Sequence, residues 1–127
     1  MGVNRFEDLR VWQVASGFAS EIGGVLEQMA HARDFALRDQ LNTAALSTVA
    51  NIAEGFMRRN RRDFARFIRI AAASNGEARA LVHVANGRGY LQAGDYTRLV
   101  ETTNSIGRML SALYRSLKTA EEPDPIR

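Results

Sequence analysis

Apolar residues recur at three- and four-residue steps in four stretches of this chain, the spacing of one buried face of an α-helix. The first stretch begins near Phe6-Glu7-Asp8 and carries Leu9, Trp12, Ala15, Ala19, Ile22, Leu26 and Met29. Acidic residues in its first turn suit the positive end of the helix dipole, while Gly17, Gly23 and Gly24 weaken it by up to about 1 kcal/mol each relative to Ala. The second runs from Asp34 as N-cap, with Leu37, Leu41, Ala44, Ala45, Ile52 and Phe56 inward, and Gly55 predicts a stop or kink. A third follows Asn60 as N-cap, with Asp63 near the free N–H groups of its first turn. It carries Phe64, Phe67, Ile68, Ala71, Ala78, Val82 and Ala85, and Gly89 ends it. Asp95 then caps a fourth helix bearing Leu99, Ile106, Met109, Leu110, Leu113 and Leu117.

Both prolines, Pro123 and Pro125, lie beyond these stretches, and no run alternates as a strand would. Short connections between four helices predict an all-α fold, an antiparallel up-down-up-down four-helix bundle. The expected limits are residues 1–118 for the bundle and 119–127 for a flexible, acidic C-terminal tail.

Composition narrows the chemistry. The 127 residues suffice for one domain. The longest uncharged run, Gln40 to Ala53, contains Asn, Thr and Ser and is too short to cross a bilayer. Arg5, Glu7, Asp8 and Arg10 stand where a secretory signal would be apolar, so the expected compartment is the cytoplasm, with no membrane partner. Cysteine is absent, which removes disulfides, thiolate metal sites and Cys nucleophiles. His31 and His83 are the two histidines, and neither forms the Glu-x-x-His pair of a bundle di-metal site. No metal or other cofactor is expected.

The charge is uneven. Net charge is +3, yet Arg58, Arg59, Arg61, Arg62, Arg66 and Arg69 face one nearby acid, Asp63, and that segment alone carries +5. At 100° per residue, Arg62, Arg66 and Arg69 share one side of the third helix, opposite Phe64, Phe67, Ile68 and Ala71, with no aromatic among them. One reading is a contact to RNA or DNA phosphates, for which the planar guanidinium fork is suited. The other is a scaffold whose ridge docks an acidic protein or the neighbouring subunit. Further along the same stripe stand Ala73, Gly76 and Ala80, small enough for another subunit's backbone to approach. An oligomer interface is expected there.

A polar set on the second and third helices has the residue types of an enzyme site. Ser47, Asn51 and Glu54 share one face of the second helix, and Ser74 and Glu77 one face of the third. An acid/base pocket with Glu54 as base is one reading. The adopted reading is structural: Glu54 pairs with an Arg, and Asn51 satisfies backbone, because no nucleophile–base–orienter set accompanies them. No catalytic residue is assigned.

Asn51-Ile52-Ala53-Glu54-Gly55, then Arg58 and Asp63-Phe64-Ala65-Arg66-Phe67, form a long motif. With Phe6-Glu7-Asp8-Leu9-Arg10-Val11-Trp12-Gln13 before it, and Ser74, Glu77, Gly89-Tyr90-Leu91 and Met109-Leu110 after it, the chain resembles the four-helix-bundle proteins encoded in intervening sequences of bacterial 23S rRNA genes. The accessory variability proteins of diversity-generating retroelements look like relatives. The resemblance spans about residues 6–117. It implies antiparallel bundles that form homopentamers, mostly without an assigned activity. The retroelement relatives bind nucleic acid and a reverse transcriptase through a basic surface. Asn51, Glu54, Gly55, Asp63, Phe64, Phe67, Ser74 and Glu77 carry the motif and are expected to be structural. The chain departs from the pattern at Asn42 and Thr43, where basic residues are usual, and at Ala73 and Asn75. Asn75 points to the core stripe, which predicts a hydrogen-bonded partner for it.

Overall fold

The computed structural model describes residues 2–121, with side chains through Thr119. Four helices account for most of it: α1 (Arg10–Gln28), α2 (Phe35–Met57), α3 (Arg61–Gly87) and α4 (Ala93–Glu121). Single 3-10 turns stand at Phe6–Asp8 and Ala30–Ala32, and no strand occurs among the described residues. Each helix packs on its neighbour in the chain, α1 also packs on α4, and α3 shares the broadest contacts, with α2 and α4. Ile22, Met29, Leu41, Ile52, Ile68, Val82, Leu99, Ile106 and Leu110 are fully enclosed in one core. All lie on the predicted apolar faces, and burying each such side chain stabilises by roughly 1.5–3 kcal/mol. No described helix is long and apolar enough to cross a membrane.

The boundaries differ from expectation in instructive places. Phe6–Asp8 is a 3-10 turn, and Leu9 is extended before α1 begins at Arg10. Gln13 Nε2 donates to the Glu7 carbonyl at 2.8 Å, and the Phe6 ring packs 5.1 Å from that of Trp12. The acidic pair therefore precedes α1 instead of forming its first turn. Gly55 neither stops nor caps α2, which runs on to Met57 with Gly55 buried against α3. Asn60 does cap α3, its Oδ1 accepting from the Asp63 N–H at 2.9 Å. Asp95 is not a cap, because α4 starts at Ala93. From its place in the first turn it pairs instead with Arg98 at 2.9 Å. No Gly or Pro interrupts Arg108 to Glu122, and α4 continues to Glu121. The remainder of the expected tail, 122–127, lies outside the described residues.

Two polar ties fix how the helices meet. Asp34 caps α2, its Oδ1 accepting from the Leu37 N–H at 3.4 Å. Its Oδ2 accepts from the Tyr90 hydroxyl at 2.9 Å and from Arg88 Nη1 at 2.5 Å. This joins the α1–α2 connection to the α3–α4 connection. The Tyr90 hydroxyl and then the Arg88 guanidinium hold the Asp34 carboxyl below its ordinary range, and the same bond raises the Tyr90 phenol. Between α2 and α3, the Ser47 and Ser74 hydroxyls bond at 2.8 Å.

Candidate nucleic-acid interface

The ridge is built around a tight turn. With α2 ending at Met57 and α3 capped by Asn60, a three-residue connection brings Arg58 and Arg59 beside Arg61, Arg62, Arg66 and Arg69. All six side chains are exposed. Arg59 takes a left-handed backbone at φ 57, a conformation that costs a non-glycine residue about 1–2 kcal/mol. Arg58 pairs with Glu54 at 3.1 Å, one turn earlier on α2. Among the described residues, no carboxylate lies within 4.0 Å of Arg59, Arg61, Arg62, Arg66 or Arg69.

No aromatic stands on the outward side with these arginines, but rings lie beneath their guanidiniums. The Arg66 and Arg58 guanidiniums lie 4.6 and 4.9 Å from the centre of the Phe67 ring. Arg59 lies 5.3 Å from the Phe56 ring, and Arg69 lies 5.7 Å from that of Tyr114 on α4. A helical wheel places Cα atoms, whereas a long Arg side chain carries its charge around the helix and lays its stem on apolar surface. Phe67 is itself buried, so its ring seats guanidiniums and offers no platform for a base. Each such contact is worth about 0.5–1 kcal/mol at an exposed site, and a seated side chain loses less freedom when a ligand arrives.

Residues from α4 complete the surface. Tyr114 and Lys118 line a hollow of about 390 Å³ with Arg62, Arg66 and Arg69, and Asp63 is its one acidic wall residue. Tyr114 is half-buried under Arg69. A basic residue one turn beyond it, Lys118, was the available signal.

The motif residues Phe64 and Phe67 pack over Gly55, and Glu54 pairs with Arg58, so this part of the motif holds the turn from which the ridge projects. Asn51 Nδ2 donates to the Ser47 carbonyl at 2.8 Å and approaches the Ser47 hydroxyl at 3.1 Å. The polar set is thus a tie between α2 and α3. Glu77 is exposed and takes no part in it. Asn75 has the expected partner, its Nδ2 donating to the Thr103 carbonyl at 2.9 Å. The small-residue stripe divides: Ala73 and Ala80 are exposed, while Gly76 faces α4 in a separate groove. His83 Nδ1 lies 2.9 Å from the Tyr96 hydroxyl, and among the described residues no cluster of His, Asp or Glu forms a metal site.

Comparison with known proteins agrees with this architecture. A solved crystal structure of a protein with unknown function from the S23 ribosomal protein family, from Bacteroides thetaiotaomicron VPI-5482, superposes with a TM-score of 0.78. It is 20% identical, covering 83% of this chain and 95% of that one. At that identity the likeness shows the fold. No curated protein matches the chain. The family model described as 23S rRNA-intervening sequence protein matches residues 7–112. From just before α1 to within the last three turns of α4, this chain therefore belongs to the 23S rRNA-intervening sequence protein family.

Proposed function

We propose that this protein is a non-enzymatic, cytoplasmic helical bundle, up-down-up-down and antiparallel, that self-assembles and uses its arginine ridge to contact RNA or DNA phosphates. One observation carries the nucleic-acid reading. Arg61, Arg62, Arg66 and Arg69 are exposed, have no carboxylate partner among the described residues, and lie on one end of the fold. Guanidiniums with most donors free are suited to paired hydrogen bonds with phosphate oxygens.

Self-assembly as a pentamer follows the family resemblance and has support in the exposed apolar residues. Phe35, Leu46 and Met57 stand at eleven-residue intervals, about three turns, and so share one line along α2. Ile70 and Val84 are exposed on α3 with Ala73 and Ala80 between them. Leu46 and Ala73 immediately precede Ser47 and Ser74, the pair that ties the two helices. A ring of five would gather the local +5 to about +25, a field that matters over a Debye length of roughly 8–10 Å.

Two variants test the parts separately. Changing Arg62, Arg66 and Arg69 together to Gln is expected to weaken binding to structured RNA and duplex DNA while helicity and solution mass stay as in wild type. Unchanged affinity overturns the nucleic-acid reading. Ala73→Glu with Ala80→Glu is expected to lower the solution mass, and retention of the wild-type mass removes that face from the assembly.

A further inference from the structure

A hollow of about 370 Å³ opens beside the ridge, at the end of the fold where α2 passes to α3. Phe56 from α2, Phe64 from α3 and Leu113 and Leu117 from α4 supply an apolar wall, and Arg59 and Arg61 line it as well. No acidic residue is among its lining, and among the described residues no carboxylate lies within 4.0 Å of either arginine. A mostly apolar pocket with two cationic groups suits an occupant that is apolar and negatively charged within one short stretch, which a bare anion is not.

Such a stretch belongs to this chain. Leu117, on the wall of the hollow, stands one turn before Glu121, the last described residue of α4, and the sequence goes on as Glu122-Pro123-Asp124-Pro125-Ile126-Arg127. Glu122 and Asp124 each precede a proline, a position biased towards extended backbone. Side chains alternate along an extended chain, so Glu122, Asp124 and Ile126 share one side, and both prolines and Arg127 take the other. The shared side carries two carboxylates and then a branched apolar side chain, the combination that suits the hollow and its two arginines. Five extended residues beyond Glu121 span up to about 16–18 Å, whereas Leu117 lies about 6 Å back along the helix. The prolines leave fewer conformations to lose on docking. So short a tether gives an effective concentration on the order of millimolar, which a separate acidic partner would have to match.

We propose that residues 122–127 fold back on their own chain, Ile126 entering this hollow and the Glu122 and Asp124 carboxylates pairing with Arg59 and Arg61. The docked segment covers one flank of the arginine ridge, so a polyanion meets the full charge only after displacing it. This masking rests on the phosphate-binding reading of the ridge, whereas the docking itself does not.

The chain has no cysteine of its own, so a nitroxide spin label on Arg127→Cys marks a single position. In isotope-labelled full-length protein diluted into unlabelled wild type, the nitroxide is expected to broaden the amide signals of Phe64, Leu113 and Leu117 of its own chain. No broadening at those residues overturns the proposal. So does broadening that instead appears when the nitroxide and the isotope are on different copies, which marks a second copy as the occupant. Glu122→Gln with Asp124→Asn is expected to remove most of the broadening, and Ile126→Ser to do the same, because charge and apolar contact act together. Persistence of the broadening in both variants overturns the proposal. The masking is read from the anisotropy of labelled structured RNA at low salt. Glu122→Gln with Asp124→Asn is expected to bind about twofold or more tighter than wild type, the gain being set by the fraction of chains that the segment masks. Glu27→Gln with Glu101→Gln raises the net charge equally at two exposed positions on α1 and α4 and is expected to give a smaller gain. Equal gains from the two variants, or none from the first, overturn the masking. Should neither wild type nor variants bind RNA, the ridge reading fails, and the broadening still decides the docking.

Discussion

A Cβ added at Gly55 would stand 2.7 Å from the Cβ of Phe67 and 3.0 Å from Cδ1 of Phe64. Backbone of α2 and side chains of α3 meet there too closely for any other residue. Gly55→Ala is therefore expected to destabilise by about 1–3 kcal/mol in urea denaturation. Gly24, exposed on α1 with nothing within 4 Å of an added Cβ, should behave oppositely, Gly24→Ala gaining about 0.5–1 kcal/mol. Sequence reads Gly24 as a weak point within α1 and Gly55 as a stop or kink of α2; the crossing of α3 at Gly55 is not legible there, since a glycine near a helix end reads as a stop whether or not another helix crosses it. Asp34 poses a different test. Its carboxyl is held low by Tyr90 and Arg88, so its contribution is complete above the unfolded carboxylate value near 3.9 and is lost as pH falls through the lower folded value. Thermal melts of wild type should stay level from neutrality to about pH 4 and fall below it, and Asp34→Asn should flatten that acid limb. Asp34 was legible as a cap. Its bonds to residues 54 and 56 positions away were not.

At the scale of the helix, the apolar periodicity located all four elements because each buries one continuous face, and Leu41, Ile68, Val82 and Leu110 lie where the spacing puts them. What periodicity cannot give is which polar side chains meet across helices. Ser47 and Ser74 were read as members of one polar set, and their bond ties α2 to α3. A double-mutant cycle with Ser47→Ala and Ser74→Ala should return a coupling of about 0.5–1.5 kcal/mol, and strictly additive effects would deny the tie. The arginine ridge was visible because its six residues cluster within twelve positions of sequence. Tyr114 and Lys118 were not, because they stand on α4 and their meeting with α3 exists only in the folded chain. The rings beneath the guanidiniums escaped notice for a related reason. A wheel records where a side chain starts, and Arg66 ends on Phe67.

For the whole molecule, the consequence is a fold with a marked electrical asymmetry. The segment from Arg58 to Arg69 carries +5 on a chain whose net charge is +3. The α1–α2 and α3–α4 connections are instead closed by a neutralised Asp34–Arg88 pair. Assembly of several copies would concentrate the ridges, and a polyanion would meet them first. The direct test is the anisotropy of labelled structured RNA and duplex DNA against the protein across a salt series. With Arg61, Arg62, Arg66 and Arg69 each neutralising a phosphate, the logarithm of the affinity should fall with the logarithm of salt at a slope of about −3 or steeper. Absence of binding at low salt, or an affinity indifferent to salt, would contradict the phosphate-binding ridge.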